Sequence, residues 1–146
     1  FMFIQGLETL ALRMREHSSN AEKVAQYLSN HDSVERVIYP SVMDGYSKDR
    51  AEKYLTRGNG GLMGFEIKGG IEAGKKFINA LEMVYHVANI GDSRSLAIHP
   101  GSTTHSQLNE EELLSAGITP GFVRLSIGLE HIDDIIADYE QALAKI

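Results

Sequence analysis

Cysteine is absent from the 146 residues, so neither a disulfide nor a thiolate metal site is available. A reducing compartment is permitted, and the expected location is cytoplasmic. Basic residues are scarce. Fourteen Lys and Arg face 20 Asp and Glu, giving a formal charge of −6 and no basic cluster. Nucleic acid is therefore a poor partner, because binding it depends on cations that neutralise phosphates. An anionic membrane surface is disfavoured on the same ground. No apolar run approaches the ~20 residues that a membrane span needs. The chain also lacks an initiator methionine and opens Phe1-Met2-Phe3-Ile4, without the basic start and longer apolar stretch of a signal peptide. The expectation is a chain cut within or just before a helix whose apolar end packs on something outside it. A processed start, or a terminus covered by its own domain, is the alternative.

What is present fits one domain. The apolar fraction is 42%, enough for a core, and the length suits one domain better than two. Phe3 to Asn30 reads as one long helix. Leu7, Leu10, Ala11, Met14, Ser18, Ala21, Val24, Ala25 and Leu28 recur at spacings of three and four, with Arg15, Glu16, Asn20, Glu22 and Lys23 on the other face. Strands are expected at Val34–Tyr39, Leu62–Ile67, Val84–Ala88, Leu96–His99 and Phe122–Ile127. Shorter helices are expected at Asp49–Leu55, Ile71–Leu81 and from Asn109, as N-cap, to Ala116. A last helix starts near Ile132, with Asp133 and Asp134 in its first turn and Ile132, Ile135, Ile136, Tyr139, Leu143 and Ile146 as its stripe. The mixture predicts an α+β domain, a mainly antiparallel sheet with helices on one side, preceded by a long connecting helix.

Several motifs invite a chemical reading. Gly69-Gly70-Ile71-Glu72-Ala73-Gly74-Lys75-Lys76 follows a strand and enters a helix as a phosphate loop does, but Lys76 stands where a magnesium-binding hydroxyl is required and Glu72 would repel phosphate. A glycine turn into an amphipathic helix is the better reading. The glycines from Gly58 to Gly64 precede a strand and lack the helix N-terminus that attracts phosphate. The six histidines show no HExxH pattern and no carboxylate at ligand spacing, so His99 and His105 read as hydrogen-bonding loop residues. No serine among the polar residues Asn89 to Thr104 has a recognisable histidine–carboxylate partner, so a hydrolase triad is unsupported. Arg124 stands out. In Phe122-Val123-Arg124-Leu125-Ser126-Ile127 alternation turns Val123, Leu125 and Ile127 to the core and Arg124 away from it. Such an arginine can grip a carboxylate with two parallel hydrogen bonds, or it can be a solvated or salt-bridged strand residue.

Three segments carry a family resemblance. Gln5-Gly6-Leu7-Glu8-Thr9-Leu10-Ala11-Leu12-Arg13 resembles the helix that opens the C-terminal part of the Cys/Met-metabolism family of pyridoxal-phosphate enzymes. Asn89-Ile90-Gly91-Asp92-Ser93-Arg94-Ser95-Leu96, followed by His99-Pro100-Gly101-Ser102-Thr103-Thr104-His105, resembles its next signature, and Val123-Arg124-Leu125-Ser126-Ile127-Gly128-Leu129-Glu130 its third. Asn89 to Asp92 is most similar to the O-acetylhomoserine sulfhydrylase form. The resemblance implies that residues 1–146 are the single small C-terminal domain of a larger fold-type I pyridoxal-phosphate enzyme. It implies that Arg124 holds the α-carboxylate of an amino-acid substrate, that Ser95 lies against the same carboxylate, and that Thr104 is near the site. The implied reaction replaces the acetate of O-acetylhomoserine by sulfide to give homocysteine, a step of methionine biosynthesis. Cystathionine synthase or lyase activity is an alternative within the family, and a stand-alone carboxylate-binding or interaction module is one outside it. The family's Schiff-base lysine and its phosphate pocket lie in the large domain. None of Lys23, Lys48, Lys53, Lys68, Lys75, Lys76 and Lys145 has the Ser-x-Thr-Lys context. No catalytic, cofactor-binding or metal residue is therefore expected in this chain, which should fold but not catalyse alone. A homotetramer is implied for the full-length protein, and self-association is expected of the isolated domain with its exposed apolar start.

Overall fold

The structure, a computed structural model, describes residues 1–146 apart from the side chain of Glu110. In chain order the elements are helices α1 (Met2–Glu8) and α2 (Leu10–Ser29), strand β1 (Val34–Ile38), helix α3 (Tyr46–Tyr54), strand β2 (Leu62–Ile67) and helix α4 (Gly70–Ala80). Strands β3 (Tyr85–His86) and β4 (Leu96–Ile98), a 3₁₀ turn at Pro100–Ser102, helix α5 (Glu110–Ser115), strand β5 (Phe122–Ser126) and helix α6 (Ile132–Leu143) follow. The strands form one sheet in the order β1-β2-β5-β4-β3. Its β1–β2, β2–β5 and β5–β4 pairs are antiparallel, and β3 alone runs parallel to its neighbour β4. This is the α+β class that the alternating strands predict.

Alternation explains where the core lies. Val123, Leu125 and Ile127 from β5 and its end meet Met63, Phe65 and Ile67 from β2, all almost fully buried. Ala21, Val24, Ala25 and Leu28 of α2, Phe77 and Ile78 of α4, and Ile135, Tyr139 and Leu143 of α6 close over that face. Phe77 stands edge-on to Phe65, with ring centroids 5.4 Å apart, and also contacts Tyr139. The three longest helices thus cover one side of the sheet. Among the described residues, no helix is long and apolar enough to cross a membrane.

The single helix expected from Phe3 to Asn30 is two helices, broken at Thr9 (φ −105°, ψ 5°). Helix α1 has no buried residue, so tertiary contacts do little to hold this part of the helix straight. At the break, Arg13 donates to the Gly6 carbonyl at 2.9 Å and to the Thr9 hydroxyl. The expected stripe is covered only from Ala21 onward; Leu7 and Met14 are exposed. Asn20, expected on the polar face, is buried with His17 on the side that meets the end of β5. The strand expected over Val84–Ala88 shrinks to Tyr85–His86, because the chain must turn back at once to run parallel with β4.

Candidate functional site

The return from β3 to β4 builds a densely hydrogen-bonded arrangement. Residues 87–95 leave the sheet edge as a strap that crosses β4 and touches β5. The Gly91 N–H donates to Ser126 Oγ at 3.2 Å, and the Leu129 N–H donates to the Ser93 carbonyl at 2.7 Å. Ser126 shares the Arg124 side of β5, so the strap lies over the face opposite α2, α4 and α6. Arg124 is half-buried there, level with Gly64 on β2 and Ile98 on β4. The Phe122 ring packs over Gly64 beside it, where a Cβ would stand 2.4 Å from the ring and force it to move.

Arg124 is lightly held. Its Nη2 donates to the Asn89 carbonyl across a long 3.4 Å. Other arginines are more firmly engaged: Arg36 pairs with Glu66 at 2.6 Å, and Arg94 pairs with Asp92 at 3.3 Å and stacks on Tyr85. That pairing holds the Asp92 carboxyl below its ordinary range and the Arg94 guanidinium above its own. Among the described residues, the planar donor fork of Arg124 therefore faces the strap with most of its hydrogen-bonding capacity uncommitted, as capture of a carboxylate requires.

Ser95 occupies a different position. It is fully buried, and its N–H and hydroxyl donate to the two oxygens of Glu130 at 2.7 and 2.9 Å. The hydroxyl also accepts from the Gly128 N–H at 2.8 Å, and the Ser95 carbonyl accepts from the Tyr85 N–H at 3.0 Å. Ser95 thus fastens the end of the strap to the turn after β5. Thr104 is exposed and bonds the His105 ring at 2.9 Å. Among the described residues, neither hydroxyl is hydrogen-bonded to Arg124.

Sequence reasoning missed the groups behind the strap. His17 Nδ1 donates to the Ile127 carbonyl at 2.6 Å, and Asn20 Nδ2 donates to the Gly128 and Glu130 carbonyls at 3.2 and 3.0 Å. Their spacing places both on the buried side of α2 with Ala21, Val24 and Leu28, which was the available signal. A cleft of about 140 Å³ between Met14 and His17 of α2 and Ile90 and Gly91 of the strap adjoins this region. A larger cleft of about 590 Å³ lies elsewhere, between α2 and residues 55–60, and Arg124 does not line it.

The fold is shared with a pyridoxal-phosphate-bearing enzyme. A Campylobacter jejuni crystal structure described as an O-acetylhomoserine (thiol)-lyase, holding N′-pyridoxyl-lysine-5′-monophosphate, matches with a TM-score of 0.88 and 48% identity, over 96% of this chain and 33% of that one. The family model for Cys/Met metabolism PLP-dependent enzymes matches residues 1–144, and the chain belongs to that family. It is 56% identical, over its whole length, to the O-acetyl-L-homoserine sulfhydrylase of Leptospira meyeri, and 44% identical to an L-methionine gamma-lyase of Fusobacterium nucleatum. The chain spans about a third of the length of these curated relatives, 33% and 37% respectively.

The lysines of this chain do not suit a bond to the cofactor's aldehyde. A lysine that binds the aldehyde must be desolvated or otherwise activated, whereas all seven lysines here are exposed. Lys68 is spent on the Asp32 carbonyl at 2.6 Å and Lys75 on Glu72 at 2.8 Å.

Proposed function

We propose that the chain is the small C-terminal domain of a pyridoxal-phosphate-dependent O-acetylhomoserine sulfhydrylase and supplies the contact for the substrate's α-carboxylate. The observation that carries the reading is Arg124, an arginine in mid-strand on the face opposite α2, α4 and α6, whose one hydrogen bond among the described residues, to Asn89, is long. A bidentate contact there would fix one end of an amino acid and hold its reacting carbons at a set distance from the sheet. The reaction exchanges leaving group and nucleophile: acetate departs from the γ-carbon with the C–O bond electrons, and sulfide forms the C–S bond of homocysteine. Holding the cofactor falls to the rest of the longer protein. The sulfhydrylase relatives support this substrate, and the homocysteine-forming enzyme would act in the cytoplasm as a homotetramer.

Ser95 enters the proposal as a neighbour that shapes the strap beside the carboxylate. Thr104 stands further out, on the loop after β4. A second reading, lyase chemistry, is favoured by the likeness to methionine gamma-lyase, and it leaves the role of Arg124 unchanged because every such substrate carries the same carboxylate.

The test is Arg124→Lys in the full-length, cofactor-loaded enzyme, followed by homocysteine formation from O-acetylhomoserine and sulfide. A bidentate contact becomes a point charge, so kcat/KM should fall about 10- to 100-fold, the worth of a charged hydrogen bond. An unchanged kcat/KM contradicts the assignment.

A further inference from the structure

We infer that Glu130 is a positioning residue for Arg124, acting through Ser95 and the strap; the inference rests on the carboxylate-binding reading above. Glu130 follows β5 by four residues and points back under the strap. Its two carboxylate oxygens take both donors of Ser95, at 2.7 and 2.9 Å, across 35 residues of sequence. The Ser95 hydroxyl has its hydrogen committed to Glu130 and a lone pair to the Gly128 N–H at 2.8 Å. This three-membered knot leaves no space. A Cβ on Gly128 would meet Glu130 Oε2 at 2.3 Å and the Ser95 nitrogen at 2.4 Å.

The knot is itself held from below by Asn20, which donates to the Glu130 carbonyl at 3.0 Å. One end of the strap is thereby fixed to the scaffold at Ser95, while Gly91 is tied to Ser126. Between β3 and these ties sits Asn89, whose carbonyl is the hydrogen-bonding partner of Arg124. The carboxylate of Glu130 thus sets where the strap lies, and the strap carries the Asn89 carbonyl that the guanidinium faces. Glu130 is well suited to this because a carboxylate offers each donor its own acceptor oxygen, whereas a carboxamide has only one.

The test is Glu130→Gln in the full-length, cofactor-loaded enzyme, with Arg124→Lys and the double variant measured beside it. The amide replaces one acceptor with a donor, so the Ser95 hydroxyl loses its partner and the strap loosens. KM for O-acetylhomoserine should rise about three- to tenfold while kcat moves little, the mark of weakened ground-state positioning. The double variant should be no worse than Arg124→Lys alone, because the positioning matters only through that arginine. A fall in melting temperature with unchanged KM, or a double variant whose loss is the product of the two, overturns the role of Glu130 and leaves Arg124 standing. If Arg124→Lys itself leaves kcat/KM unchanged, the carboxylate reading fails instead. Should Glu130→Gln not fold, Ser95→Ala removes the same link from the other side and is read by the same criteria.

Discussion

Gly74 and His99 show how closely single residues are fitted. A Cβ on Gly74 would stand 2.4 Å from the ring of His99, so α4 approaches the end of β4 only because that helical position is glycine. His99 is fully buried. Its Nε2 faces the Pro120 carbonyl at 2.8 Å and must carry the hydrogen, so Nδ1 accepts from Ser102 Oγ at 2.8 Å. Burial pushes the His99 pKa below its ordinary 6.5, with the nearby Lys75 and His86 adding to the effect. The folded chain thus refuses a proton that the unfolded chain accepts. His99 stabilises the fold fully above about pH 6.5, and this contribution drains away as pH falls toward the depressed folded value. Melting temperatures between about pH 8 and about pH 5 should decline on the acid side, and His99→Gln should flatten that decline while lowering stability at neutral pH. An identical pH slope in the variant would contradict the assignment.

At the scale of elements, α6 carries a buried carboxylate within its apolar stripe. Asp138 accepts from the backbone N–H groups of Glu82, Met83 and Val84 at 2.9, 3.0 and 2.9 Å, and from the Gln141 amide at 2.9 Å. It thereby fixes the turn that delivers β3 and the strap. Asp138→Asn should lower folding stability by about 2–3 kcal/mol in denaturant melts, because its amide donor would face backbone donors; a loss within experimental error would mean that the turn holds itself. These features mark the limit of what the sequence makes legible. Strands β2 and β5 are readable because alternation is a local signal, and the Asn109 cap is readable because its partner Glu112 lies three residues on. Asp138 and Asn20 are hidden because their partners lie 54 to 56 and 108 to 110 residues away. Arg124 could be turned away from the core by pattern alone, but its strap could not, since the link from Ser95 to Glu130 exists only once the sheet has formed.

At the scale of the molecule, the sheet divides the labour. Helices α2, α4 and α6 bury one face, and the other presents Arg124 beneath a strap tied at several points. The chain has an arginine suited to a substrate carboxylate but no lysine suited to the cofactor aldehyde. That division is the central claim, and it is tested directly by mixing the purified chain with pyridoxal phosphate, reducing with borohydride and locating adducts by mass spectrometry. The account expects sparse modification spread over exposed lysines such as Lys23 and Lys76 and no stoichiometric adduct. A stoichiometric adduct on one lysine would show that the chain holds its own cofactor, contradicting the account.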